Sequence, residues 1–271
     1  MVCLAQRKNS MQKRLKKLAI VVSGWHYPMG FYENIAKQQL PNGWIVEMFV
    51  VSHRDPKFAE KKVFDKKTRR GKLDALLYKK LATKKDIESL GFEYQEEPNT
   101  IGDWGNSNQW LDTHDYKKYD LFLFTHDDNL ITSDNMLTQI CSVYDNNWLI
   151  MTNSIGMPPG SLRGSFEFFK KEMLDKIGGK FDLSKVSLDQ TGKTKNPLGW
   201  SDLYDWNNTV TPLTDFITKK KLWNRIQTLS PYYRVSLYCI EGERGLISST
   251  QPMNNPYEEE GLDKLQEIGI I

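Results

Sequence analysis

The sequence has no apolar run near the roughly 20 residues that a membrane-spanning helix needs. Its longest runs, such as residues 18–22 and 121–124, have the length of strands, which excludes an integral helical membrane protein. Cysteine is scarce: Cys3, Cys141 and Cys239 are odd in number and far apart. They fit neither a disulfide framework nor a zinc cluster and point to a reducing compartment. No Gly-x-Gly-x-x-Gly follows the first apolar stretch, and neither the full Gly-x4-Gly-Lys-Ser/Thr motif of a phosphate loop nor a Gly-x-Ser-x-Gly elbow occurs. Dinucleotide-binding, P-loop and serine-hydrolase sites are therefore not read here. An excess of one charge is also missing, because 37 Lys and Arg face 34 Asp and Glu for a net charge of +3. That balance, without a readable recognition module, argues against a nucleic-acid partner. The basic start lacks the apolar segment and small-residue cleavage site of a secretory signal. The expected location is cytoplasmic, and the sequon Asn207-Asn208-Thr209 is expected to go unused.

What is present describes a soluble globular chain of 271 residues, 39% hydrophobic and 26% charged, a length that suits one large domain. Positive charge is uneven. Residues 1–17 carry six Lys and Arg and no acid, and residues 54–85 carry thirteen against four acids. Two readings stand: solvated surface, or a field that meets anionic lipid or a phosphorylated substrate. The first admits no partner; the second admits peripheral membrane contact through the N-terminal arm. The expected organisation is a basic arm at 1–17, one domain over 18–250 and an acidic tail at 251–271 that contains Glu258, Glu259 and Glu260.

Along the domain, strands alternate with helices. Strands are expected over Leu18–Ser23, Trp44–Val51, Tyr119–Phe124, Trp148–Met151 and Gly164–Phe169, from continuous apolar or β-branched runs. Helical spacing links Phe31, Ile35 and Leu40, then Leu73, Leu76, Leu77 and Leu81, and then Met136, Leu137, Ile140 and Val143 with Ser133 as cap. A short helix over Lys170–Lys176 should stop at Gly178-Gly179. This alternation predicts an α/β domain with a mostly parallel or mixed sheet flanked by helices. Its ligands should gather at the carboxyl ends of the strands.

One strand carries the chemistry. Residues 119–129 read Tyr-Asp-Leu-Phe-Leu-Phe-Thr-His-Asp-Asp-Asn, so an apolar strand delivers His126, Asp127 and Asp128 to its carboxyl end. Adjacent carboxylates repel unless a cation neutralises them, and hard oxygen ligands suit Mg2+ or Mn2+ bound to phosphate oxygens. A polar turn after a core strand is the plainer reading.

The order of segments adds to this. Asn99 to Trp110 (Asn-Thr-Ile-Gly-Asp-Trp-Gly-Asn-Ser-Asn-Gln-Trp) precedes the acidic strand. Ile177-Gly178-Gly179-Lys180-Phe181-Asp182 and Gly199-Trp200-Ser201-Asp202-Leu203-Tyr204-Asp205-Trp206 follow it. Together these resemble the nucleotide-sugar-dependent glycosyltransferases of GT-A fold, of the inverting family 2 type, over residues 18–210. The resemblance implies that Asp128 stands where the second aspartate of an Asp-x-Asp motif binds the metal, with His126 in place of the first. A shifted register would use Asp127 with Asp128 instead. It also implies Asp202 as the general base, with Asp205 in reserve. Ser23, Trp25, His26, Tyr27, Asn108 and Arg163 would line the donor. Two departures stand out: Ser107 replaces a frequent arginine, and Ser52-His53-Arg54-Asp55 replaces the usual Asp-Asp-Gly-Ser.

The implied activity is sugar transfer from a nucleotide-sugar to a hydroxyl of a glycan or other acceptor, with inversion and with Mn2+ or Mg2+ as cofactor. A nucleotidyltransferase would use the same acids on a nucleoside triphosphate. A catalytically silent nucleotide-sugar or glycan-binding protein would keep the fold alone. Eight tryptophans, Trp104, Trp110, Trp200 and Trp206 among them, serve either core packing or stacking on sugar faces.

Overall fold

In the computed structural model, which describes residues 14–24, 27–52, 80–97, 102–127, 129–131, 134–152, 155–156, 161–162, 166–184, 206–228 and 237–239, the first apolar stretch forms β1 (Lys16–Gly24). Its residues from Leu18 onward are buried on both faces, which is why the sequence reads as a continuous run rather than an alternation. Then come α1 (Met29–Ala36), β2 (Trp44–Ser52), α2 (Lys84–Ser89), β3 (Phe92–Glu96), α3 (Gly102–Thr113), β4 (Leu121–His126) and the short β5 (Asn129–Ile131). The chain continues through α4 (Met136–Ser142), β6 (Ile150–Thr152), β7 (Ile155–Gly156), β8 (Ser161–Leu162), β9 (Phe166–Lys170), α5 (Lys171–Lys176), α6 (Trp206–Lys219), β10 (Ile226–Thr228) and β11 (Leu237–Cys239).

Differences from the sequence reading are local. Helix α1 ends at Ala36, before Leu40. The residue that opens α4 is Asn135, which makes no side-chain cap bond; Ser133 and the segment from Leu73 to Leu77 lie outside the described residues. Leu81 pairs with Pro28 in an isolated antiparallel bridge. Helix α2, β3 and the helical state of α3 were not expected. Thr83 and Asp86 close a reciprocal capping box at the start of α2, which satisfies otherwise orphaned amides of the first turn.

Among the described residues seven strands form one sheet, in the order β10-β6-β9-β4-β1-β2-β3. All neighbours are parallel except that β9 runs antiparallel to both β4 and β6. The mixed α/β sheet expected from the sequence is therefore the observed one. From β1 the chain first builds outward through β2 to β3, then returns to place β4 on the other side of β1. The order thus reverses between β1 and β4, and a crevice opens at the carboxyl ends of strands at such a point.

Apolar side chains cover both faces. On one, Leu18, Ile20, Val22, Val50, Leu121 and Leu123 meet Phe31, Tyr32 and Ile35 of α1 and Met136, Leu137 and Ile140 of α4. On the other, Ala19, Val21, Phe49, Phe122 and Phe124 meet Trp104 and Trp110 of α3, Met173 and Leu174 of α5, and Leu213 and Ile217 of α6. The turn after α5 stops where expected: Gly178 and Gly179 have φ of 81° and 80°, left-handed values that glycine adopts without penalty. A Cβ on Gly179 would lie 2.7 Å from the Tyr116 ring, so steric room as well as backbone angle requires glycine there.

Candidate functional site

The parallel register sets the crevice. Ser23 at the end of β1 is the Cα partner of His126 at the end of β4, and Gly24 is the partner of Ser52 at the end of β2. Successive side chains of a strand alternate between faces. Ser23 and His126 therefore fall on the Trp104 face, and Ser52 falls on the Tyr32 face. Ser23, Ser52, Thr125, His126 and Asp127 are all buried, a polar row at the carboxyl ends of β1, β2 and β4. Thr125 turns its hydroxyl onto the main-chain oxygen of His126 at 2.9 Å.

Asp127 follows β4 and reaches the Tyr32 face. Its Oδ2 accepts the Tyr27 N–H at 2.7 Å and the Tyr32 hydroxyl at 3.0 Å. Tyr27 has φ of 58°, an uncommon conformation for a bulky side chain. Its carbonyl accepts from the Ala82 N–H at 2.7 Å, and its hydroxyl donates to Ser52 Oγ. Tyr94 of β3 donates to the same Ser52 oxygen at 2.7 Å. The rings of Tyr27 and Tyr32 stack with centroids 6.1 Å apart. Burial raises both phenols well above the ordinary tyrosine range, and the Asp127 charge adds to the rise. Both therefore stay protonated and serve as hydrogen-bond donors. Gly24 is part of the same packing: a Cβ there would come within 2.8 Å of both the Tyr27 hydroxyl and Val50 Cγ1.

On the opposite face α3 begins beside the crevice, because the chain enters it from the carboxyl end of β3 and leaves it toward the start of β4. Trp104 stacks on Phe181 with centroids 4.0 Å apart. Asn108, one turn on, donates from Nδ2 to the Phe181 carbonyl and accepts the Phe181 N–H on Oδ1, each at 2.9 Å. The side chain expected at the donor thus ties α3 to the segment after Gly178-Gly179. Asn106 is 1% exposed, and neither of its amide atoms has a hydrogen-bond partner among the described residues.

Of the residues singled out from the sequence, Ser23, Tyr27, His126 and Asp127 come together at the crevice, and Asn108 stands on α3. Trp25, His26, Asp128, Arg163, Asp202 and Asp205 lie outside the described residues. Among the described residues no three His, Cys, Asp or Glu side chains gather as metal ligands. No helix among them is long and apolar enough to cross a membrane. Sequence reasoning missed Tyr32, Ser52 and Tyr94 as members of the crevice. Neither tyrosine was singled out from the sequence, and Ser52 was read only as the first residue of the stretch that stands in place of Asp-Asp-Gly-Ser.

No protein-family model matches the chain, and no curated protein sequence matches it. Among solved structures it is similar to the mannosyltransferase PcManGT from Pyrobaculum calidifontis in complex with GDP-Man and Mn2+, at 16% identity and a TM-score of 0.39, over 63% of this chain and 48% of that one. It is also similar to residues 1–349 of S. aureus TarS in complex with UDP-GlcNAc, at 16% identity and 0.46, over 93% of this chain and 66% of that one. A third is the catalytic domain of Drosophila beta1,4galactosyltransferase 7 in complex with xylobiose, at 12% identity and 0.42, over 90% and 79%. The chain thus spans less than two thirds of the length of the first two.

Proposed function

We propose that the chain is a glycosyltransferase of GT-A type that transfers a sugar from a nucleotide-sugar to a hydroxyl acceptor, with inversion. The observation that carries the reading is the reversal of strand order between β1 and β4, with the acidic end of β4 at that point and Ser23 and Tyr27 beside it. An open α/β sheet binds its ligand there, and Ser23 and Tyr27, two of the six residues that the family resemblance assigns to the donor, stand beside that point. In this reading the turn through Trp25, His26 and Tyr27 holds the nucleotide, and Arg163 meets the diphosphate. Asn108 keeps the wall formed by α3 in place through Phe181. Asp128, with His126, is the residue to hold a divalent cation, which when bound offsets charge on the departing diphosphate. Asp202 takes the proton of the acceptor hydroxyl as its oxygen attacks the anomeric carbon from the face opposite the leaving group, and Asp205 stands in reserve.

The test is a thermal-shift panel of UDP-, GDP-, CMP- and dTDP-sugars with and without Mn2+, because a ligand of the folded state raises its melting temperature. One nucleotide class should shift the wild type in a Mn2+-dependent way and release its nucleoside diphosphate, or CMP from a CMP-sugar, on turnover. Asp128→Ala should lose that shift, and Asp202→Ala should keep it while losing transfer. Release of pyrophosphate from a triphosphate would move the chain to nucleotidyl transfer. Binding without turnover would leave a binding protein, and unchanged turnover in either variant removes that residue from the mechanism.

A further inference from the structure

We propose that Asp127 is a positioning residue that fixes the turn between β1 and α1, in place of the cation-ligand role that a shifted motif register would give it. The functional half of this inference rests on the donor-site reading above; the structural half does not.

The Asp127 side chain is 0% exposed. Mg2+ and Mn2+ keep several waters beside their carboxylate ligands, whereas protein atoms surround the Asp127 carboxylate here. Its Oδ2 is committed to two donors fixed in direction, the Tyr27 amide at 2.7 Å and the Tyr32 hydroxyl at 3.0 Å. One belongs to the turn and the other to α1, so a single oxygen joins the end of β4 to both. Tyr27 needs such a hold. Its left-handed φ of 58° persists only where surroundings over-determine it, and Asp127, Ser52 and Ala82 grip it at amide, hydroxyl and carbonyl. The residue beside the acidic strand end thus sets the backbone that precedes α1, while His126 lies on the opposite face of the sheet.

The chemistry separates this role from ligation. Asparagine at 127 keeps an acceptor oxygen for Tyr27 and Tyr32 but removes the charge a cation requires; alanine removes both. Amide hydrogen exchange at Tyr27, followed in the apo protein, should stay within about threefold of wild type in Asp127→Asn and accelerate at least about tenfold in Asp127→Ala, as loss of a buried hydrogen bond requires. Tyr32→Phe, which frees the carboxylate from its second donor, should accelerate it severalfold and serves if the alanine variant does not fold. Tyr27 exchange unchanged in Asp127→Ala, or in Tyr32→Phe if only that variant folds, would overturn the proposal. The second readout is a Mn2+ titration of nucleotide-sugar binding. Asp127→Asn should keep the wild-type midpoint, whereas a rise of about tenfold or more, the usual cost of losing a metal-site group, with Tyr27 still protected would make Asp127 a ligand. If the wild type binds no nucleotide-sugar, the donor-site reading fails and the exchange comparison still decides the role of Asp127.

Discussion

The two ends of the parallel strands are built from different interactions. At the amino end, charges are neutralised in pairs near solvent. Lys17 Nζ meets Glu47 Oε1 at 2.8 Å, with side chains 34% and 40% exposed, and Lys16 meets Asp145 at 2.7 Å. Tyr119 donates to the other Glu47 oxygen, and Asp120 receives the Lys17 amide at 2.8 Å. Lys170, brought to the same end by antiparallel β9, lies over the Trp148 ring at 4.5 Å and donates to the Asn146 carbonyl. At the carboxyl end the joints described are a main-chain amide, phenols and a serine hydroxyl around buried Asp127 and Ser52. Exposed ion pairs tolerate small displacements, whereas buried directional bonds do not. Among the described residues, the less tolerant joints therefore lie at the end where the strand order reverses.

The contrast fixes the order of expected effects. Trp104→Ala removes a 1% exposed ring from the wall of the crevice and should cost about 3–5 kcal/mol in urea denaturation. Gly24→Val forces a side chain against the Tyr27 hydroxyl and Val50 and should cost about 1–3 kcal/mol, equally at low and high salt. At the other end, Glu47→Gln should cost no more than about 1 kcal/mol, and less as salt rises. The Lys17 ammonium and then the Tyr119 hydroxyl hold the Glu47 carboxyl below its ordinary 4.5. Its contribution is therefore fully present above that value and is lost as pH falls through the lower folded value. Urea midpoints of wild type and Glu47→Gln should accordingly converge on acidification. Comparable losses from Gly24→Val and Glu47→Gln would erase the distinction between the two ends.

Strands β1 and β4 were legible because their buried apolar positions follow one another without interruption, and β2 and β9 because a single glutamate each, Glu47 and Glu167, breaks an otherwise apolar run. Helix α5 was legible because Gly178-Gly179 announces its end. Helix α2 and β3 were not, although Thr83-x-x-Asp86 is a readable cap: Phe92–Glu96 has a buried Phe92 followed by positions that are at least partly exposed. Helix α3 hides in a run of Asp, Asn, Ser and Gln, and its position comes from the burial of Trp104, Trp110 and Leu111, a tertiary effect that outweighs local propensity. At the crevice, an apolar strand delivering His126 and Asp127 could be read directly. Their surroundings could not: Tyr32 reaches Asp127 across 95 positions of chain and Tyr27 reaches Ser52 across 25. Only the register of β1 against β2 and β4 brings them together.

The antiparallel strand β9 dictates an order of assembly. Strand β6 pairs with β9 and β10 and not with β4, so when β6 leaves the ribosome its neighbour in the sheet has yet to be made. The half built from β3, β2, β1 and β4 is complete at residue 126, and β9 begins at residue 166, 40 positions later. In that interval the apolar β4 has an unpaired edge, the kind of edge along which chains associate wrongly. Substitutions that slow the arrival of Phe166–Lys170 should therefore lower the yield of soluble chain more than they lower the stability of the finished protein.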